Sequence, residues 1–215
     1  MSNAPAMNSS ALHLQNLACM RGGKTLFTDL SVVLEPGHLL RITGSNGAGK
    51  SSLLRMICGL LTPSMGSIQW GANAIHADRD FFHTQLIYLG HTPALKGNLS
   101  AEENIIAAGS LSGDDITGSM AREALVRSGL GHLSSKLART FSQGQKQRVA
   151  LARLQLAEDK PLWLLDEPFN ALDQDANEAL QALIKAHLTR GGMVALSSHQ
   201  VVALDQIDRV VRVSL

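Results

Sequence analysis

The sequence predicts an α/β fold: a parallel sheet with helices on its faces, joined to a small antiparallel β lobe and an α-helical lobe. Three observations predict it. Leu162-Trp-Leu-Leu165 and Met193-Val-Ala-Leu196 are short unbroken apolar runs, the pattern of strands buried on both faces of a parallel sheet. Between them Ala176, Ala179, Leu180, Leu183, Ile184, His187 and Leu188 recur at helical spacing and stop at Gly191-Gly192, so a helix crosses from one strand to the next. Upstream, the run His38–Thr43 passes through Gly44-Ser-Asn-Gly-Ala-Gly-Lys-Ser-Ser52 into the apolar stretch Leu53–Leu61, a second strand-to-helix unit. Alternating units of this kind assemble through right-handed crossovers.

The remaining elements follow in order. Residues 1–11 are expected to be disordered ahead of a single domain over 12–215, and the polar run Met1–Ser10 lacks the basic and apolar regions of a secretory signal. Leu12–Cys19 and Leu30–Leu34 read as strands separated by the turn Arg21-Gly-Gly-Lys24. The helix after the glycine loop is expected to end near Gly59. Thr62-Pro-Ser-Met-Gly66 then turns into a short strand at Ser67–Gly71, and Leu86–Leu89 is a further strand. From about 92 to 157 the pattern is helical, with a capping box at Ser100-Ala-Glu-Glu103 and a polar loop over Gly109–Ser119 before Met120–Ser128.

Composition narrows the function classes. A chain of 215 residues, 45% hydrophobic and 17% charged, can bury one sizeable core. Its net charge of +1 supplies no field to collect nucleic acid or anionic lipid, so no nucleic acid partner is expected. No apolar run approaches the ~20 residues needed to span a bilayer, which predicts a chain that stays in the cytoplasm. Cys19 and Cys58 stand alone, without a second Cys or His at ligand spacing, and read as reduced packing residues.

The loop Gly44–Ser52 fits G-x-x-x-x-G-K-[ST] in the strand–loop–helix context that gives the pattern its meaning. Gly44, Gly47 and Gly49 let the backbone curl so that successive NH groups of Ser45, Asn46, Ala48 and their neighbours face an anion, and the following helix adds its positive end. Lys50 is expected to reach the β and γ phosphates of a nucleotide, Ser51 to place its hydroxyl on Mg2+, and Ser52 to complete the cradle. Downstream, Pro161-Leu-Trp-Leu-Leu-Asp-Glu-Pro168 is an apolar strand ending in two carboxylates. Asp166 is expected beside the Mg2+, and Glu167 beside the γ phosphate, suited to polarise a water for in-line attack. A nucleoside triphosphate and Mg2+ are the ligands this pair of motifs predicts.

Thr140-Phe-Ser-Gln-Gly-Gln-Lys-Gln-Arg148 decides between nucleotide enzymes. Standing alone, Ser142 is a helix cap and the basic residues a solvated face. Together with the two motifs above, Phe169-Asn-Ala-Leu-Asp173 and Leu196-Ser-Ser-His-Gln200, the segment resembles the signature of ABC ATPases, from which Phe141 and Gln143 depart. The five ordered motifs resemble that family from Leu12 to about Val213. The resemblance implies the ABC ATPase type of P-loop NTPase core, with the signature on the helical lobe. It further implies that Ser142, Gln143, Gly144 and Gln145 touch the ATP held by the Lys50 loop of a second copy, that Asp173 lies in the D-loop, and that His199 is the switch histidine. The pair would be a homodimer that closes on ATP and opens on hydrolysis.

Two further departures stand out against the family pattern. The adenine-stacking aromatic is replaced by Arg21, whose guanidinium plane can stack on a base. The Q-loop glutamine is replaced by His91, whose neutral imidazole can accept from water or ligate Mg2+. With Leu89-Gly-His-Thr-Pro93, these features resemble the CcmA branch, ATP-binding subunits of the haem exporter of bacterial cytochrome c maturation. That resemblance implies membrane-embedded partners of the CcmB and CcmC kind and a peripheral place on the cytoplasmic side of the inner membrane. Another transporter cargo is the alternative, and a soluble ABC ATPase, a kinase or a GTPase are more distant ones.

Overall fold

The structure is a computed structural model that describes residues 10–199, 204 and 207–215. Residues 1–9 of the expected disordered start, and Gln200 of the switch-histidine motif, lie outside the described residues. Strands β1 (Leu12–Arg21) and β2 (Lys24–Leu34) form an antiparallel hairpin. Its turn is Gly22-Gly23, with φ of +55° and +74°, a backbone that side chains with a Cβ resist. β4 (Met65–Trp70) joins the other edge of β1 and carries the two-residue β5 (Asn73–Ala74), giving a sheet ordered β2-β1-β4-β5.

The second sheet has the order β6-β7-β8-β3-β9, from β3 (Leu39–Thr43), β6 (Leu86–Leu89), β7 (Leu162–Asp166), β8 (Met193–Ser197) and β9 (Val210–Ser214), and its neighbours run parallel. Every residue of β7 and β8 is buried. The reason is the period-two alternation of side chains. Leu162, Leu164, Met193 and Ala195 enter one core with α1 (Lys50–Ile57) and the antiparallel sheet, while Trp163, Leu165, Val194 and Leu196 enter another with α6 (Gln174–Thr189). A face buried on both sides needs apolar residues at consecutive positions, which is why these strands read as unbroken runs.

On α6 the apolar face is narrower than its spacing suggests. Leu180, Ile184, His187 and Leu188 are buried, whereas Ala179 is exposed. His187 is wholly buried and stacks on Trp163, ring centroids 3.8 Å apart. Burial, and then the charge of Arg190, pull its pKa down to about 4, so it is a neutral packing residue, as its place on an apolar face suggests.

Between β6 and β7 lie α3 (Ala101–Leu111), α4 (Gly118–Arg127) and α5 (Gln143–Ala152), around a third core of Ala101, Ile105, Ala121, Leu125, Phe141 and Val149. α3 runs three residues into the expected polar loop that begins at Gly109, where Ile116 from the following segment packs onto Gly109 and covers the helix end. The short α2 (Arg79–Thr84) precedes β6 and buries Phe82 against Trp70.

Candidate functional site

The site forms where β3, β7 and β8 end side by side. β3 runs into the loop 44–49, and α1 begins at Lys50 with Gly49 as its N-cap. Gly44 and Gly49 have φ of +142° and +111°. A Cβ on Gly44 would lie 2.6 Å from the Leu215 carbonyl oxygen, and one on Gly49 would lie 3.1 Å from the ring of Phe27. Both positions therefore need glycine for conformation and for space. No side chain caps α1 and no acidic residue lies in its first turn, so the positive end of the helix is left for an external anion.

Lys50 folds back over this loop. Its Nζ donates to the carbonyl oxygens of Gly44 (3.0 Å) and Ser45 (3.2 Å) and lies 4.0 Å from Glu167 Oε1. It also lies 2.9 Å from His199 Nε2. An ammonium has only donors, so that nitrogen accepts, which puts the proton of a neutral imidazole on Nδ1. His199 Nε2 is in turn 3.3 Å from Glu167 Oε1, and the His199 backbone NH donates to Glu167 Oε2 at 3.3 Å. Lys50, Glu167 and His199, far apart in sequence, thus form one polar cluster.

Asp166 and Glu167 are both buried. Asp166 Oδ1 accepts from the Ser197 hydroxyl at 2.7 Å, while Oδ2 is buried without a protein partner among the described residues. Glu167 has a φ of +52°, unusual for a residue with a Cβ. Its NH is shared between the Ser197 carbonyl (3.1 Å) and hydroxyl (3.0 Å), which hold that backbone in place. Ser197, which bonds to both Asp166 and Glu167, is not singled out by the sequence motifs. The signal was present, since parallel pairing of β7 and β8 sets Asp166 opposite Ser197.

The other predicted residues fall around this cluster. Pairing of Leu89 with Leu165 carries His91, exposed two residues beyond β6, toward the same edge as Asp166 and Glu167. Arg21 ends β1, exposed, two positions beyond the Cys19–Phe27 pair whose ring covers Gly49. Ser142 caps α5 in a capping box: its hydroxyl accepts from the Gln145 NH (3.2 Å) and its own NH donates to Gln145 Oε1 (2.9 Å). Asp173 caps α6 by accepting from the Ala176 NH at 2.9 Å. Among the described residues α5 meets the loop 168–173: a Cβ on Gly144 would lie 2.8 Å from the Ala171 carbonyl oxygen, and Gln147 Nε2 donates to the Pro168 carbonyl.

The sequence model of the ABC transporter family matches residues 27–170, more than half of the chain. The chain belongs to the ABC transporter family. Among its relatives, the cytochrome c biogenesis ATP-binding export protein CcmA of Aromatoleum aromaticum is 47% identical over 189 residues, covering 88% of each chain. The CcmA of Dechloromonas aromatica is 47% identical over 191 residues, covering 89% of this chain and 93% of that protein. A solved ATP-binding subunit of an ABC transporter superposes with a TM-score of 0.78 at 28% identity, covering 88% of this chain and 80% of the other. This ABC-family chain is accordingly an ATPase of the CcmA branch, and the strand-end cluster is where its nucleotide chemistry is to be sought.

Proposed function

We propose that this chain binds and hydrolyses ATP as the nucleotide-binding subunit of a cytochrome c biogenesis export complex with haem as cargo. The observation that carries the ATPase assignment is the convergence of Lys50, Glu167 and His199 beside the uncapped start of α1. An incoming triphosphate supplies oxygens to backbone NH groups of the loop 44–52, where the Ala48 NH donates to the Ser45 carbonyl at 3.2 Å, and Lys50 exchanges its two backbone carbonyl partners for phosphate. Glu167, held by Ser197, then faces the terminal phosphate and takes a proton from the attacking water, while His199 donates or accepts beside it.

Mg2+ fits the residues present. Among the described residues no group of three or more His, Cys, Asp or Glu side chains is set to hold a metal ion. The partnerless, buried Asp166 Oδ2 and the Ser51 hydroxyl in the first turn of α1 would offer the few oxygens of a site shared with phosphate and water, which is how Mg2+ is commonly held. When bound, it would neutralise charge on the β and γ phosphates. Ser142, Gln143, Gly144 and Gln145 contact the nucleotide of a second copy, and Asp173 lies along the same interface. Arg21 stacks on the adenine and His91 contacts the water or the metal ion. ATP affinity of Arg21→Ala and the pH profile of hydrolysis by His91→Gln test these two roles.

The relatives' name as export proteins supports a place beside membrane subunits; partners of the CcmB and CcmC kind, on the cytoplasmic side of the inner membrane, are what the family resemblance adds to this proposal. No helix among the described residues is long and apolar enough to cross a membrane. Isolating the complex from membranes identifies both partner and cargo. The catalytic reading is tested with Glu167→Gln in that complex. Hydrolysis is expected to fall by about two orders of magnitude while Mg-ATP still drives two copies together. A Glu167→Gln protein that hydrolyses ATP at the parental rate, or that never associates with Mg-ATP, refutes it.

A further inference from the structure

One face of α5 lies along the loop that carries Glu167. Three residues at helical spacing touch it in succession. Gly144 meets Ala171, where a Cβ would come within 2.8 Å of the carbonyl oxygen; Gln147 Nε2 donates to the Pro168 carbonyl at 3.1 Å; and Arg148 Nη1 lies 3.8 Å from Asp173 Oδ2. Positions i, i+3 and i+4 share one side of a helix, so these are one continuous contact. Gly144 supplies close approach, Arg148 an exposed ion pair of little strength, and Gln147 the one buried hydrogen bond.

The place where that bond lands gives it its meaning. Pro168 directly follows Glu167, and a proline offers no NH, so its carbonyl is the polar backbone group by which a neighbour can hold it. On the other side of Glu167, Ser197 holds the NH. Glu167 itself has φ of +52° and Ala171 has +60°, conformations that cost free energy and persist only where surroundings fix them. Glu167 is thus clamped from β8 through Ser197 and from α5 through Gln147. Leaving the Gln147 amide or the Pro168 carbonyl unpaired in this buried place would be costly, so the link is stiff.

We propose that Gln147 is a positioning residue: it transmits the position of α5 through Pro168 to the Glu167 carboxylate of the same chain. The relay rests on the reading that Ser142, at the start of α5, meets the ATP of a second copy. Occupancy of the partner's loop then sets the aim of this chain's own base, so that hydrolysis in one site waits for closure of the other. The mechanism needs no movement of α5 relative to the loop, only that the two move as one body against β3 and α1.

The test uses the chain assembled with its membrane subunits and compares Gln147→Met, which keeps length without a donor, with Gln147→His, which keeps a ring NH. For Gln147→Met, kcat of ATP hydrolysis is expected to fall by about tenfold or more, with KM for Mg-ATP within about twofold of the parent, and Gln147→His to recover part of the loss. Adding Gln147→Met to Glu167→Gln should lower the residual rate no further, because both changes act through one carboxylate. A parental kcat in Gln147→Met, or losses that multiply in the double variant, overturns the proposal. Association of the Glu167→Gln protein with Mg-ATP, followed separately, distinguishes the two readings. If it fails with Gln147 intact, the two-copy site is wrong. If it fails only with Gln147→Met, the residue shapes the interface and the positioning role is overturned.

Discussion

α3 and α5 begin in the same way and do different work. Each opens with a serine whose hydroxyl accepts from the backbone NH three residues on, while the side chain at that third position reaches back to the serine NH. The bond lengths nearly coincide, 3.2 and 2.7 Å at Ser100–Glu103 against 3.2 and 2.9 Å at Ser142–Gln145. The difference is charge. α3 has Glu102 and Glu103 in its first turn and α5 has no acidic residue there. A carboxylate at a helix start answers the positive end of the dipole, so α3 has satisfied itself, whereas α5 is capped in geometry but left electropositive. α1 lies beyond both, with neither cap nor carboxylate. The three starts form a series from closed to open toward an anion, and the two left electropositive, α5 and α1, are the ones that carry the proposed nucleotide motifs.

The largest expected effect comes from making α5 resemble α3. Gln145→Glu retains the reach to the Ser142 NH and adds a carboxylate where the proposed interface puts a phosphate. Hydrolysis by the assembled complex should fall by about tenfold or more through like-charge repulsion, while thermal stability stays level or rises by about 0.3–1 kcal/mol from the dipole interaction. Activity and stability moving in opposite directions would be measured by an ATPase assay beside a melting curve. Unchanged hydrolysis would mean that charge at this helix start is irrelevant to function.

The Ser100 capping box, the Ser142 cap, the glycine loop and the buried strands are legible in sequence because each is a local pattern: a polar residue at a helix start, a glycine spacing, a run of apolar residues. The sequence pattern marks β2 only from Leu30, although the strand begins at Lys24, since between Lys24 and Leu34 only Phe27 and Leu34 are buried and the strand is held by its backbone ladder with β1. α2, six residues with one buried side chain, offers no periodicity to read. Ser197 and Gln147 escaped for another reason. Their partners lie 30 or 31 and 21 residues away, so their roles exist only once β7, β8 and α5 have assembled.

A smaller effect is expected from removing the α3 cap. Ser100→Ala should destabilise the chain by about 1 kcal/mol, since the Glu103 NH loses the acceptor that the buried Ser100 supplies. Hydrolysis per folded molecule should stay within about twofold of the parent. Loss of activity beyond the folded fraction would show that the start of α3 takes part in the site, and would remove the distinction between the two helices.

The smallest effect is a pH dependence that α3 has and α5 lacks. The Ser100 NH, and then its hydroxyl, bond to the Glu103 carboxylate and hold its pKa below its ordinary value of 4.5. Between those two values the unfolded chain binds more protons than the folded one, so stability rises with pH through that window. The contribution is complete above the ordinary value and is lost as pH falls through the lowered one. Gln145 carries no proton in this range and gives α5 no such slope. Melting temperatures of the parent and Glu103→Gln, followed from about pH 7 down to about pH 3, should therefore run a fixed distance apart and converge in the acid limb. A constant separation throughout would mean that Glu103 leaves its Ser100 bonds in solution, and that the first turn of α3 is closed by its fold and not by its charge.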